Sequence, residues 1–119
     1  MNQKLTVFRE LDIQPLRDLP FFEEVLEGTP HTLTSKYYHD EQQGRISGEW
    51  QASIGAWRID YKVWEFCHVL SGCCVIELEG CAPVTLAAGD TFIIEPGAKG
   101  KWTVVEDMKK NFVILVPAN

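Results

Sequence analysis

Three side chains able to hold or move a proton recur at the same parity along one apolar stretch: Tyr61, Glu65 and Cys67. Successive side chains of an extended strand point to opposite faces, so Tyr61, Val63, Glu65, Cys67 and Val69 share one side, and Trp64, Phe66, His68 and Leu70 the other. Glu65 is therefore a carboxylate on a mostly apolar face. Burying it alone is costly, which requires a partner, a ligand or a proton beside it. Such a set suits general acid and base catalysis or the anchoring of a polar ligand. His68 falls on the face opposite Glu65, which argues against the two sharing a metal ion.

Four cysteines, Cys67, Cys73, Cys74 and Cys81, lie close together without C-x-x-C spacing. Adjacent Cys73 and Cys74 would point to opposite faces of a strand, so the four read as reduced, mostly buried thiols. A zinc site built from Cys67, His68 and one later cysteine is the alternative. The formal net charge of −6 and sequence pI near 5.0 argue against a nucleic-acid partner. Lys99, Lys101, Lys109 and Lys110 form the one basic cluster, and acidic neighbours dilute it. No apolar run is long enough to span a bilayer, and Met1 to Glu10 lacks the pattern of a secretory signal. The expectation is a cytoplasmic protein with no membrane association.

The elements that must position these residues are short strands. Candidates are 32–38, 46–52, 56–61, 63–70, 73–79, 84–86, 91–94, 102–105 and 112–116, punctuated by turn glycines at the spacing of an all-β sandwich or barrel. The first quarter differs. Leu16, Leu19, Phe22, Val25 and Leu26 approach helical spacing, and Gly28 with Pro30 ends the run, so residues 1–30 are expected to form an arm with a short helix lying on a barrel of residues 31–119. Trp50 and Trp57, on strands preceding Glu65, offer aromatic walls for a small-molecule pocket.

The stretch from Trp64 to Gly72 resembles the end of the first cupin motif, in which a hydrophobic strand separates a Glu from a turn glycine. Gly89 to Gly97 resembles the start of the second, a Gly-Asp turn leading through a strand to a Pro/Gly turn. Gly100-Lys101-Trp102 followed by Lys109-Lys110 resembles the signature of a small single-domain cupin subfamily related to ureidoglycine aminohydrolase. The resemblance implies a cupin-type β-barrel (jelly roll) and brings Trp102 and Lys110 toward the Glu65 cavity. It also implies where a metal would sit: two histidines and the glutamate from the first motif, and one histidine from the second. Those histidine positions fall on Ile59, Tyr61 and Gly100 here, leaving Glu65 alone of the four. The expectation is no resident cofactor, and at most a weak, oxygen-rich site for Mg²⁺ or Ca²⁺.

Two readings follow. In the first, Glu65, Tyr61 and Lys110 are catalytic or anchoring groups, with Trp57, Cys67 and Trp102 as pocket walls. The ligand is a small polar molecule, and the chain belongs to amide, ureide or sugar-acid metabolism. In the second, the barrel is non-catalytic, filled by its own aromatics, and serves a structural or regulatory role. An open cavity of a few hundred cubic ångströms around Glu65 favours the first; a collapsed barrel with Glu65 paired only to Lys110 favours the second. Each carries a homodimer, because Trp64, Phe66, His68 and Leu70, with Phe21 and Phe22, need cover.

Overall fold

The computed structural model describes residues 4–18 and 24–117. Among these, the β-branched and aromatic runs between turn residues become β1 (Leu16–Arg17), β2 (Glu24–Glu27), β3 (Thr32–Asp40), β4 (Arg45–Ala52), β5 (Gly55–Asp60), β6 (Trp64–Leu78), β7 (Val84–Ala87), β8 (Thr91–Ile94) and β9 (Lys99–Leu115). A 3₁₀ turn at Phe8–Glu10 precedes them. No helix among the described residues is long and apolar enough to cross a membrane.

The expected helix is corrected. Leu16 and Arg17 pair with β3, while Val25 and its neighbours pair with β5, so the described part of the arm is extended. Sheet edges captured this segment because each half found an open strand to join. Glu24 also lies opposite Arg58 and accepts its Nε–H at 3.1 Å. Leu19 and Phe22, which completed the helical spacing, lie outside the described residues.

All pairings are antiparallel. Two long strands organise the sheet, and each merges two stretches that the sequence reads as separate. β9 pairs along one edge with β5 and then β4, and along the other with β6. The far edge of β6 carries β8 beside its first half and β7 beside its second. Register shifts between Val69 and Cys74 bend β6 over β9, curling the sheet around a single core. Gly72 makes that bend possible. Its φ is +83°, and a Cβ there would run into the backbone of Asp107 and Met108.

The concave face holds Trp50, Trp57, Trp102, Val104, Met108 and Phe112, all buried. Trp57 and Trp102, opposite one another in register, stack with centroids 6.1 Å apart and an interplanar angle of 12°, while Trp50 meets Trp102 edge-on at 5.6 Å.

Candidate functional site

Alternation along β6 places Glu65, Cys67 and Val69 inside, with Phe66 and His68 on the opposite face, as the sequence pattern requires. On β9 the inward set is Met108, Lys110 and Phe112. Register then sets the meeting. Lys110 lies between Trp50 on β4 and Val69 on β6, with Cys67 opposite Phe112 one inward position away. A lysine on a face otherwise filled by aromatics must carry its ammonium to whatever charge is within reach.

That charge is Glu65. Lys110 Nζ donates to Glu65 Oε2 at 3.1 Å and to Cys67 Sγ at 3.2 Å. The same ammonium stands 4.6 Å from the ring centroids of both Trp50 and Trp102, within cation–π range of each. Tyr61 Oη donates to the other carboxylate oxygen, Oε1, at 2.7 Å. Tyr61 is fixed by its own backbone, whose N–H binds the Ala98 carbonyl and whose carbonyl accepts the Gly97 N–H, both at 2.8 Å. The ion pair is closed to solvent, with Glu65 5% and Lys110 3% exposed, while Tyr61 beside it is half-buried.

Burial and charge fix the protonation states. Burial alone would lower the lysine pKa, but the neighbouring Cys67 and Glu65 groups outweigh it and raise it, so the ammonium stays charged. The charge facing the ammonium is not the thiol, because burial pushes Cys67 up to about 12; the ion pair is with the Glu65 carboxylate. Burial also carries Tyr61 well above the usual phenol range, reinforced by the adjacent Glu65 charge. The site therefore holds one carboxylate, one ammonium and two neutral donors. The carboxylate is its only base, and the ammonium and phenol can stabilise developing negative charge.

All six residues singled out in the sequence are brought to this core. Tyr61, Glu65, Cys67, Lys110 and Trp102 form one contact cluster. Trp57 stands behind Trp102 as a stacked ring. The direct partnership of Trp50 with the ammonium shows only in register, because Trp50 and Lys110 are opposed across two strands sixty positions apart. Lys109, the other half of the paired-basic signature, points outward and meets Glu49 at 3.8 Å. Asp90 is a turn residue, its Oδ2 accepting the Ala87 N–H at 2.9 Å. His31 is exposed but partnered, 3.0 Å from Asp18.

The residues do not fit a metal in the usual cupin position. Ile59 and Gly100 face each other in register, and a Cβ at Gly100 would collide with the backbone of Glu77 and Leu78, so that position admits no larger side chain on this backbone. Both Glu65 oxygens are already engaged, one by an ammonium that a dication would have to confront. Among the described residues no three His, Cys, Asp or Glu side chains gather as a ligand set, and that includes Cys67 and His68, which lie on opposite faces.

A family profile of EutQ-like cupin domains matches residues 39–112. The chain belongs to the EutQ-like cupin family. Its curled sheet is the cupin barrel, and solved structures agree. The EutQ protein of Clostridium difficile superposes on this cupin with a TM-score of 0.65 at 18% identity, over 74% of this chain and 70% of that one. A Pseudomonas syringae pv. tomato protein of unknown function, of the DUF861 family, gives 0.75 at 21%, over 89% of this chain and 45% of that one. The ectoine synthase of P. lautus gives 0.65 at 16%, over 74% and 66%. At such identities the likeness is one of fold. Among curated proteins, none matches.

Proposed function

We propose that this cupin binds a small polar organic molecule in the barrel interior, with Glu65 as anchor or general base and Lys110 and Tyr61 as its partners. The observation that carries the reading is the buried cluster itself. A barrel core gains little from an ion pair that apolar residues of similar volume would replace at no loss, so a carboxylate, an ammonium and a phenol converging among tryptophans point to use. With both charges already paired, a ligand enters by exchange. A zwitterionic or amide-bearing molecule offers Glu65 an N–H donor and offers Lys110 and Tyr61 an oxygen acceptor. That pattern fits amides, ureides and sugar acids, in keeping with the motif resemblance to the ureidoglycine aminohydrolase-like cupins.

A second reading has its own observation. Glu65 and Lys110 are satisfied by the chain's own groups and shielded from water, as expected of a non-catalytic barrel with a structural or regulatory role. In either case we propose a cytoplasmic homodimer. Cys67, Cys73, Cys74 and Cys81 are free thiols, and Ile93, Val113 and Leu115 surround Phe66 and Trp64 on an exposed outer face. Phe21 and Phe22, expected to share that interface, lie outside the described residues.

Native mass spectrometry of the untagged protein, followed by thermal shift with any retained ligand, separates the two. A raised melting temperature that is lost in Glu65→Gln and reduced in Tyr61→Phe, a variant that keeps the ion pair, supports binding. Unchanged affinity in both variants removes Glu65 from the site.

A further inference from the structure

A line of residues on the convex face of the sheet has no part in the Glu65 cluster. In register, Arg17 of β1 lies beside Leu33 of β3, Leu33 beside Gln51 of β4, Gln51 beside Lys109 of β9, and Lys109 beside Ser71 of β6. Residues at one register position of neighbouring strands project from the same face, so five strands deliver these side chains together. They line a groove of about 300 Å³, to which His31 and Ser53 contribute from the strand ends and Asp107 from within β9. That volume is at the lower end of small-molecule sites.

The lining runs against the charge of the molecule. The chain carries a net charge of −6, yet the groove gathers Arg17 and Lys109 with a single carboxylate. That carboxylate, Asp107, is already committed, its Oδ1 accepting the Ile54 N–H at 3.1 Å. Asp18, beside Arg17 in the chain, is likewise taken up by the Thr32 N–H at 2.9 Å and His31 Nδ1 at 3.0 Å. Arg17 makes no ion pair among the described residues, and the Lys109 contact with Glu49 is long and exposed. Gln51 and Ser71 add an amide and a hydroxyl between the two cations. Thr32, Ala52 and Met108, which also touch the groove, form the neighbouring register line, whose side chains face the buried side.

We propose that this groove is a second binding site, separate from the barrel interior, for a small organic anion bearing carboxylate or phosphate groups. Arg17 supplies a planar two-pronged donor at one end and Lys109 a point charge at the other, with Gln51 and Ser71 hydrogen-bonding between them.

The test is an amide NMR titration of the full chain at low ionic strength, with succinate and with inorganic phosphate in separate arms. Saturable shifts centred on Gln51, Ser71 and Lys109 are expected in at least one arm, and the arm that saturates identifies the anion chemistry. Arg17→Gln and Lys109→Gln should each weaken binding about tenfold, the loss of one charge-assisted contact. Lys101→Gln, on β9 but outside the groove, should leave it unchanged. Native amide spectra establish that each variant is folded, and Lys109→Gln keeps the first half of the aliphatic stem. Shifts in neither arm, shifts mapping elsewhere, or an equal loss in Lys101→Gln would overturn the proposal.

Discussion

Replacing Lys110 by Met removes the ammonium while keeping most of the stem, leaving Glu65 in an aromatic core with only the neutral Tyr61 hydroxyl and Cys67 thiol beside it. The carboxyl then either stays charged without its counter-ion or takes up a proton. A free glutamic carboxyl titrates near 4.3, so holding it protonated at pH 7 costs about 4 kcal/mol, and this sets a ceiling on the electrostatic loss. Attraction across the 3.1 Å pair, taken at an effective dielectric near 20, is about 5 kcal/mol, of similar size. Lys110→Met is therefore expected to lose about 3–4 kcal/mol at pH 7, within the range found when one member of a buried pair is removed. For a chain of this size that lowers the melting temperature by roughly 10–20 °C. The loss should shrink to about 1 kcal/mol by pH 5, because protonation becomes nearly free there. Adding Glu65→Gln, which keeps an acceptor for Tyr61, should restore much of the loss, since neither charge then stands alone. In the parent, the raised lysine pKa means that the pair's contribution is complete below pH 10.5 and disappears as pH rises through the higher folded value. The assay is urea unfolding of parent, both single variants and the double between pH 5 and pH 11. Additive losses, or a Lys110→Met penalty that does not change between pH 7 and pH 5, would refute the argument.

Alkylation of the native protein at pH 8 should label exposed Cys81 and spare Cys67 and Cys74, whose buried thiols are both pushed up to about 12; peptide mapping that finds Cys67 labelled before unfolding contradicts the closed core. Sedimentation at micromolar concentration should show a dimer, and Phe66→Lys on the outer face should yield a monomer; a monomeric parent defeats the interface. Elemental analysis of untagged protein should find no stoichiometric zinc, iron, manganese or nickel, and one equivalent whose chelation lowers the melting temperature would require a ligand set other than Glu65 with positions 59, 61 and 100.

Much of the site was legible because β alternation is strict. Once Glu65 is placed inward, Cys67 follows and His68 is excluded; Tyr61, expected on the same strand, instead reaches the carboxylate from the connection between β5 and β6, outside the alternating run. Lys110 was not fixed in the same way. Parity within β9 is kept from Trp102 through Val104, Met108 and Lys110 to Phe112, although Val105 to Asp107 are exposed at the bend; the sequence reads 102–105 and 112–116 as separate strands, so no continuous strand carried that parity to Lys110. The pairing of Trp50 with Lys110, and the whole line from Arg17 to Ser71, depend on register between strands distant in sequence, which a single chain does not display. The helical spacing of the N-terminal arm misled for the converse reason: an apolar period is a local signal, and open sheet edges overrode it.

The merging of candidate strands into β6 and β9 also bears on how the molecule could be divided. β7 and β8 pair with β6 and not with each other or with β9, while β2, β4 and β5 reach the rest of the sheet through β9. A chain opened at the turn near Gly80 would yield one fragment with no strand for its β4 and β5 to share, and another of three strands with no mutual pairing. Each carries what the other lacks. Such halves are complementary templates: the first retains only its β1–β3–β4 and β2–β5 pairings, and the second retains none. Pairings as distant as Trp64 with Leu115 must close long loops before they are rewarded, which places folding of the intact chain in the slower, millisecond-to-second regime of β-barrels.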